Sequence, residues 1–156
     1  MKKVLILVFL PVLFFGCLKS GTSTPPCTDV TPASEEAQII AFCHANSITY
    51  TKDSSGVFYQ ILDPGTGTPP TLNSTVSVTY VAKFLDGILL DQTTTTPFTN
   101  QLNGLIAGWQ IGLRLIAKGG HIKMVVPSSL CYGCNGRAGV PPNAIIYFDI
   151  TLVDIQ

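Results

Sequence analysis

The chain has 156 residues, 46% of them hydrophobic, with 9 Lys and Arg against 9 Asp and Glu and five cysteines. Balanced charge without a basic cluster excludes a cationic nucleic-acid surface, and the length admits one domain rather than several.

The first stretch, "MKKVLILVFLPVLFFGC", has two lysines, an apolar run from Val4 to Phe15, then Gly16-Cys17. It reads as an export signal over 1–16. The run is shorter than the about 20 apolar residues a spanning helix needs, and proline interrupts it. A small residue directly before cysteine resembles the lipobox of bacterial lipoproteins, which makes Cys17 the lipid attachment residue. Losing Lys2 and Lys3 takes the basic count from 9 to 7 against 9 acidic residues, a mature charge near −2. Residues 17–32 are rich in Ser, Thr, Gly and Pro and read as a flexible tether.

Residues 33–55 are expected to form a helix and an extended segment. Thr31-Pro32 reads as an N-cap and first turn, Glu35-Glu36 place charge near the positive end of the dipole, and Asn46 stops the helix. Its apolar face is Ile39, Ile40, Phe42 and Cys43. "ITYTKDSSGVFYQIL" gives two extended pieces around Ser-Ser-Gly, and "DPGTGTPP" breaks the chain. "STVSVTYVAKFLDGILLD" alternates Val76, Val78, Tyr80, Ala82 and Phe84 on one face and turns at Asp86-Gly87, a hairpin. "TTTTPFTNQ" reads as a loop with an extended entry. "LIAGWQIGLRLIAKGG" reads as a helix with apolar Leu105, Ile106, Trp109, Leu113 and Ile116, closed by Gly119-Gly120. "HIKMVVP" and "AIIYFDITLVDI" are strands. Too few helices alternate with the strands for βαβ units, so the class is α+β: an antiparallel sheet packed on one short amphipathic helix.

Little catalytic equipment of the hydrolytic kind is present. His44 and His121 are the only histidines, and both read as partly exposed polar residues rather than general bases. There is no nucleophile elbow or phosphate loop, and no metal site or cofactor is expected. Besides Cys17, the cysteines are Cys27, Cys43, Cys131 and Cys134, and four allow three pairings. The pairing expected here is Cys131–Cys134 with Cys27–Cys43. Free incidental thiols remain an alternative for "CYGC". So does a thiol–disulfide centre, although such pairs usually open a helix and here a glycine loop follows.

The order of "PGTGTPP", "VTYVAKFLDGILLD", "PF", "LNGLIAGWQIGLRLIAKGGHIKMVVP", "CYG" and "GVPPNAIIYFDITLVDI" resembles that of FKBP-type peptidyl-prolyl isomerases over residues 56–156. The resemblance implies five or six antiparallel strands curled around the Trp109 helix, with an apolar cavity between, and the segment before it is similar to that of small exported bacterial members. It implies catalytic roles for Tyr80, Asp91, Ile106, Trp109, Tyr132 and Phe148. Trp109 is the pocket floor, Tyr80 and Phe148 are walls, and Asp91 orients the wall. The Ile106 backbone N–H and the Tyr132 hydroxyl hold substrate carbonyls. Leu90, Phe98, Leu105 and Val140 complete the substrate-binding wall.

Three positions depart from the family pattern. Leu90 replaces a usual phenylalanine, Cys131 a usual alanine, and Gly139 lies near a usually aliphatic wall position. The implied function is isomerisation of X-Pro bonds in exported polypeptides by a monomer, lipid-anchored to a bacterial membrane. The absence of aspartate after Cys17 favours the outer membrane, facing the periplasm. The alternatives are a peptide-binding or chaperone lipoprotein of the same fold, and, more distantly, a redox lipoprotein.

Overall fold

The computed structural model describes residues 26–156, so the export signal and Cys17 lie outside the described residues. Helix α1 spans Pro32–Ala45 with Pro32 in its first turn, where its missing N–H costs nothing. Thr31 sits at the N-cap, but its side chain does not cap; instead the Ser34 hydroxyl donates back to the Thr31 carbonyl at 2.7 Å. Asn46 ends the helix as expected, with both its backbone N–H and its amide donating to the Phe42 carbonyl at 3.0 and 2.9 Å.

Seven strands follow: β1 Thr51–Lys52, β2 Phe58–Asp63, β3 Thr75–Phe84, β4 Leu89–Gln92, β5 Phe98–Gln101, β6 His121–Val126 and β7 Ile146–Ile155. They form one antiparallel sheet in the order β1-β2-β6-β7-β3-β4, with β5 also on β3. The class is α+β, and the sheet exceeds the expected five or six strands because β1, two residues long, and β5, in the expected loop, both pair. The turn before β2 is set by Gly56 at φ 96°, and the β3–β4 turn by Gly87 at φ 89°, conformations a Cβ disfavours.

The alternation read from the sequence fixes which side of the sheet is the core. Val76, Val78 and Ala82 of β3, Ile122, Met124 and Val126 of β6, and Ile146, Phe148, Ile150 and Leu152 of β7 are buried on one face. There they meet the short helix α2, Ala107–Gly112, which continues as a single 3₁₀ turn over Leu113–Leu115. The helix is shorter at both ends than its apolar pattern predicts. Ile106 is its N-cap in extended geometry, and Ile116 is extended again at φ −129°, ψ 157° while fully buried. The apolar residues at 105 and 106 are half-buried and that at 116 is in the core, and none of the three is helical.

Two glycines one turn apart let α2 lie against β6. A Cβ on Gly108 would stand 2.3 Å from Val126 Cγ1, and one on Gly112 would stand 1.9 Å from Met124 Sδ. On the other face, Ile39 and Cys43 of α1 form a second core with Ile48, Phe58, Val125 and Ile145. Glu35, expected merely to complement the helix dipole, is buried on this same stripe and accepts a hydrogen bond from the Ser128 backbone N–H at 2.9 Å.

Candidate functional site

The sheet opens where two short strands share one neighbour. β5 pairs with Thr75–Val78 and β4 with Val81–Lys83, so the ladder beside β3 is interrupted at Thr79–Tyr80. Thr93 bridges the gap: its N–H donates to the Tyr80 carbonyl at 3.0 Å and its hydroxyl accepts from the Tyr80 N–H at 2.9 Å. With its backbone satisfied, β3 can hold the Tyr80 side chain at the wall of a cavity of about 350 Å³. The cavity lies between the sheet, the N-terminus of α2 and the loop after β6.

Four aromatic rings define its apolar part. The rings of Tyr80, Phe98 and Phe148 stand 5.0, 6.3 and 5.5 Å from the Trp109 ring, each nearly perpendicular to it. Edge-to-face contacts of this kind suit the ring quadrupoles. Trp109 is 5% exposed, whereas Phe98 is 37% exposed, so the floor is fixed and the rim open. Leu90, Leu105 and Ala82 complete the apolar lining.

Polar groups are few and differently committed. The Tyr80 hydroxyl donates to Asp91 Oδ2 at 2.6 Å, and Asp91 Oδ1 accepts the Gln92 N–H at 2.8 Å. Burial pushes the Tyr80 phenol well above its ordinary range, and the hydrogen bond to Asp91 adds to the shift. By contrast, neither the Ile106 N–H nor the Tyr132 hydroxyl has a partner among the described residues. Ile106 is held by its neighbours: its carbonyl accepts from the Trp109 and Gln110 N–H groups, and the Gln110 amide donates to the Leu105 carbonyl at 2.7 Å.

The loop after β6 supplies the remaining wall. Cys134 forms a disulfide with Cys27 across 107 positions of sequence, while Cys43 and Cys131 are free thiols. This corrects the expected pairings Cys131–Cys134 and Cys27–Cys43. Cys43 lies in the α1 core, and the Cys131 thiol is 3.8 Å from the Val126 carbonyl. Burial, with the nearby Glu35 charge, pushes the Cys131 thiol far up, the opposite of the lowered thiol pKa of a thiol–disulfide centre, and Cys134 is bonded to Cys27 rather than to Cys131.

The expected tether is thus tied down at its C-terminal end. Besides the disulfide, Asp29 Oδ1 accepts the Cys134 N–H at 2.7 Å. The approach requires Gly133, at φ 58°, where a Cβ would come within 2.3 Å of that same oxygen. Tyr132 sits between these attachments and Ser128, whose N–H is held by Glu35.

Nine of the ten residues assigned to the pocket in the sequence surround this one cavity: Tyr80, Leu90, Asp91, Phe98, Leu105, Ile106, Trp109, Tyr132 and Phe148. Val140 does not. It is 4% exposed and packs into the main core beneath a tight turn in which Arg137 and Val140 exchange backbone hydrogen bonds of 3.0 and 2.8 Å. Gly139 has φ 80° with open space where a Cβ would be, as the third position of a type II turn demands, and it is not among the residues lining the cavity. Asn100, Gly104 and Arg137 also line the cavity; Gly104 falls within one of the family-like motifs, where no role is expected of it, and Asn100 and Arg137 fall outside every motif. His121 pairs with Asp149 and His44 stands edge-on to Tyr50, both away from the cavity.

A curled antiparallel sheet holding a short helix, with an aromatic pocket at the helix N-terminus, defines the class of protein. The sequence profile of the FKBP-type peptidyl-prolyl cis-trans isomerases matches residues 67–153, more than half of the chain, and the chain belongs to that family. It is 41% identical over 105 residues to the FKBP-type peptidyl-prolyl cis-trans isomerase FkpA of Escherichia coli, a match covering 66% of this chain and 39% of the relative. The chain therefore spans well under half of that relative's length. The crystal structure of Escherichia coli FkpA superposes with a TM-score of 0.72 at 36% identity, covering 80% of this chain and 61% of that one. A peptidyl-prolyl cis-trans isomerase from Pseudomonas syringae gives a TM-score of 0.68 at 28% identity, covering 83% and 99% of the two chains.

Proposed function

We propose that the chain is a peptidyl-prolyl cis-trans isomerase acting on X-Pro bonds of exported polypeptides, with catalysis non-covalent and confined to the aromatic pocket. The observation that carries the reading is the four-ring cup beside two uncommitted donors, the Ile106 N–H and the Tyr132 hydroxyl. Rotation about the peptide bond faces a barrier of about 20 kcal/mol because resonance is lost at the twisted state. No proton transfer or nucleophile is required to lower it. The twisted amide is less dipolar than the planar one, so a dry apolar cup favours it, and each tenfold of rate asks for about 1.4 kcal/mol of preferential binding.

Trp109, Phe148, Tyr80 and Phe98 hold the proline ring in this reading. Ile106 N–H and Tyr132 hydroxyl fix the flanking carbonyls, Leu90 and Leu105 fill the wall, and Asp91 orients Tyr80. Val140 acts beneath the loop rather than against substrate. A second reading, peptide binding without turnover, is favoured by one observation: Leu90 leaves the wall less aromatic than the family pattern.

We further propose that residues 1–16 direct export and that Cys17 carries a lipid anchor, in the outer membrane because no aspartate follows Cys17. The pocket is complete within one chain, which supports a monomer as the working unit. No described helix is long and apolar enough to cross a membrane.

The test is NMR exchange spectroscopy on X-Pro peptides with the full chain and with Trp109→Ala. Acceleration lost in a folded Trp109→Ala variant supports the pocket assignment. Absent acceleration with retained peptide binding moves the function to the second reading. Lipid labelling abolished by Cys17→Ser tests the anchor.

A further inference from the structure

Among the described residues, Arg137 is the only charged side chain on the cavity besides Asp91. Its guanidinium lies over the Tyr132 ring, 4.5 Å from the centroid. The ion pairs among the described residues are Lys52–Glu36, Lys118–Asp154 and His121–Asp149, and Arg137 is in none of them. Its side chain also makes no hydrogen bond among those residues, leaving five N–H donors in a planar fork without an acceptor. Asp91 is the converse case: each carboxylate oxygen already holds a donor.

The position of Arg137 is fixed by backbone. It is the first residue of the tight turn closed on Val140, and the preceding Gly136, at φ 60°, tolerates no side chain because a Cβ would stand 2.4 Å from the Val140 carbonyl oxygen. Stacking on Tyr132 restricts the guanidinium further, and a fork held in this way loses less freedom on pairing with a carboxylate than a lysine would. The cation therefore stands beside the aromatic cup, where the chain flanking a bound proline must pass.

We propose that Arg137 makes the pocket mouth selective for proline-containing segments that carry a carboxylate side chain next to the proline. The inference rests on the pocket reading above and adds the substrate class. Neutral segments still use the aromatic cup; acidic ones gain a charge-assisted hydrogen bond at its lip.

The full chain is assayed by NMR exchange on peptides that differ only in Glu, Gln or Lys, placed in turn before and after the proline. Glu is expected to exceed Gln in kcat/KM by about three- to fivefold at one of the two positions, the effect of an exposed charge pair. The preference should fall toward unity near 1 M salt, where the screening length is about 3 Å. Arg137→Gln should abolish it, and Arg137→Lys should keep part of it. Equal rates for Glu and Gln at both positions, a preference that survives Arg137→Gln, or a preference for Lys each overturns the inference. If no peptide is accelerated, the isomerase reading has failed, and the same series is followed by Trp109 fluorescence on binding. There a Glu preference lost in Arg137→Gln upholds the inference, and equal affinities overturn it.

Discussion

Reducing the Cys27–Cys134 disulfide is expected to destabilise the fold and loosen the pocket loop together. The bridge closes a loop across 107 sequence positions, and the chain-entropy relation for such a loop gives about 4.8 kcal/mol at 25 °C. That value is an upper bound here. In the reduced folded state residues 27–31 can fray, and each freed residue regains about 1–2 kcal/mol of backbone entropy, less the contacts it gives up. The Asp29 hydrogen bond to the Cys134 N–H opposes fraying. A net loss of about 3 kcal/mol follows, within the usual range for a native bridge.

At about 3–5 °C per kcal/mol for a unit of this size, the melting temperature should fall by roughly 10–15 °C. The comparison is between the oxidised full chain, the same chain in reductant, and Cys27→Ser/Cys134→Ser, with Cys131→Ser as the control that leaves the bridge intact. Hydrogen exchange should accelerate across residues 128–136 before it does in β6 or β7. A loss under about 1 kcal/mol would refute the reasoning, because no native-state fraying consistent with the retained Asp29 contact offsets so much loop entropy. Peptide mapping that recovered Cys131 joined to Cys134 would refute its premise.

Gly108→Ala should cost about 1–3 kcal/mol by overpacking, since its Cβ would meet the buried, branched Val126 at 2.3 Å. Adding Val126→Ala should return part of that loss, read as non-additivity of urea midpoints. Glu35→Ala should leave the buried Ser128 N–H without its acceptor and cost about 1–3 kcal/mol, with faster exchange at the Ser128 amide; slowed or unchanged exchange would contradict the contact. Alkaline pH should weaken the fold through Tyr80, Tyr132 and Tyr147, whose phenols burial holds above their ordinary value of 10.0. Above that pH the unfolded chain loses protons the folded chain keeps, so this contribution is intact below about pH 10 and declines as pH rises further. Denaturation midpoints measured from neutral to alkaline pH should show the decline, and Tyr147→Phe should make it shallower.

Much of the sheet was legible because its strands are long and one-sided. Val76, Val78 and Ala82, then Ile122, Met124 and Val126, alternate as a half-buried strand must, and they lie on one face. Nine pocket residues were legible only through the motifs of the family, since aromatic spacing alone predicts nothing more specific than a core. What escaped the sequence was decided by long-range contacts. Cys134 has nearby Cys131 as its plausible partner on sequence distance, yet the fold brings Cys27 across 107 positions. Val140 and Ile116 are aliphatic for the core behind the site and not for the pocket or the helix to which the pattern assigned them. Arg137 gave no signal at all, because one arginine in a glycine-rich loop has neither period nor motif until the turn and the Tyr132 ring position it.

The N-terminal segment has a physical claim to be part of the functional unit rather than an appendage to it. The family profile begins at residue 67, yet three attachments from residues 27–35 reach the pocket loop: a covalent bond and a hydrogen bond at position 134, and a buried carboxylate at Ser128. They bracket Tyr132, so the positional freedom of its unpartnered hydroxyl depends on residues outside the matched region. A loop has few buried contacts of its own to hold a side chain in place, and its rigidity must come from what packs or bonds to it. Here that support is built from a helix on the opposite face of the sheet and from the end of a Ser/Thr/Pro-rich stretch. Preorganisation of the pocket wall therefore depends on a nine-residue stretch, 27–35, that precedes the matched region.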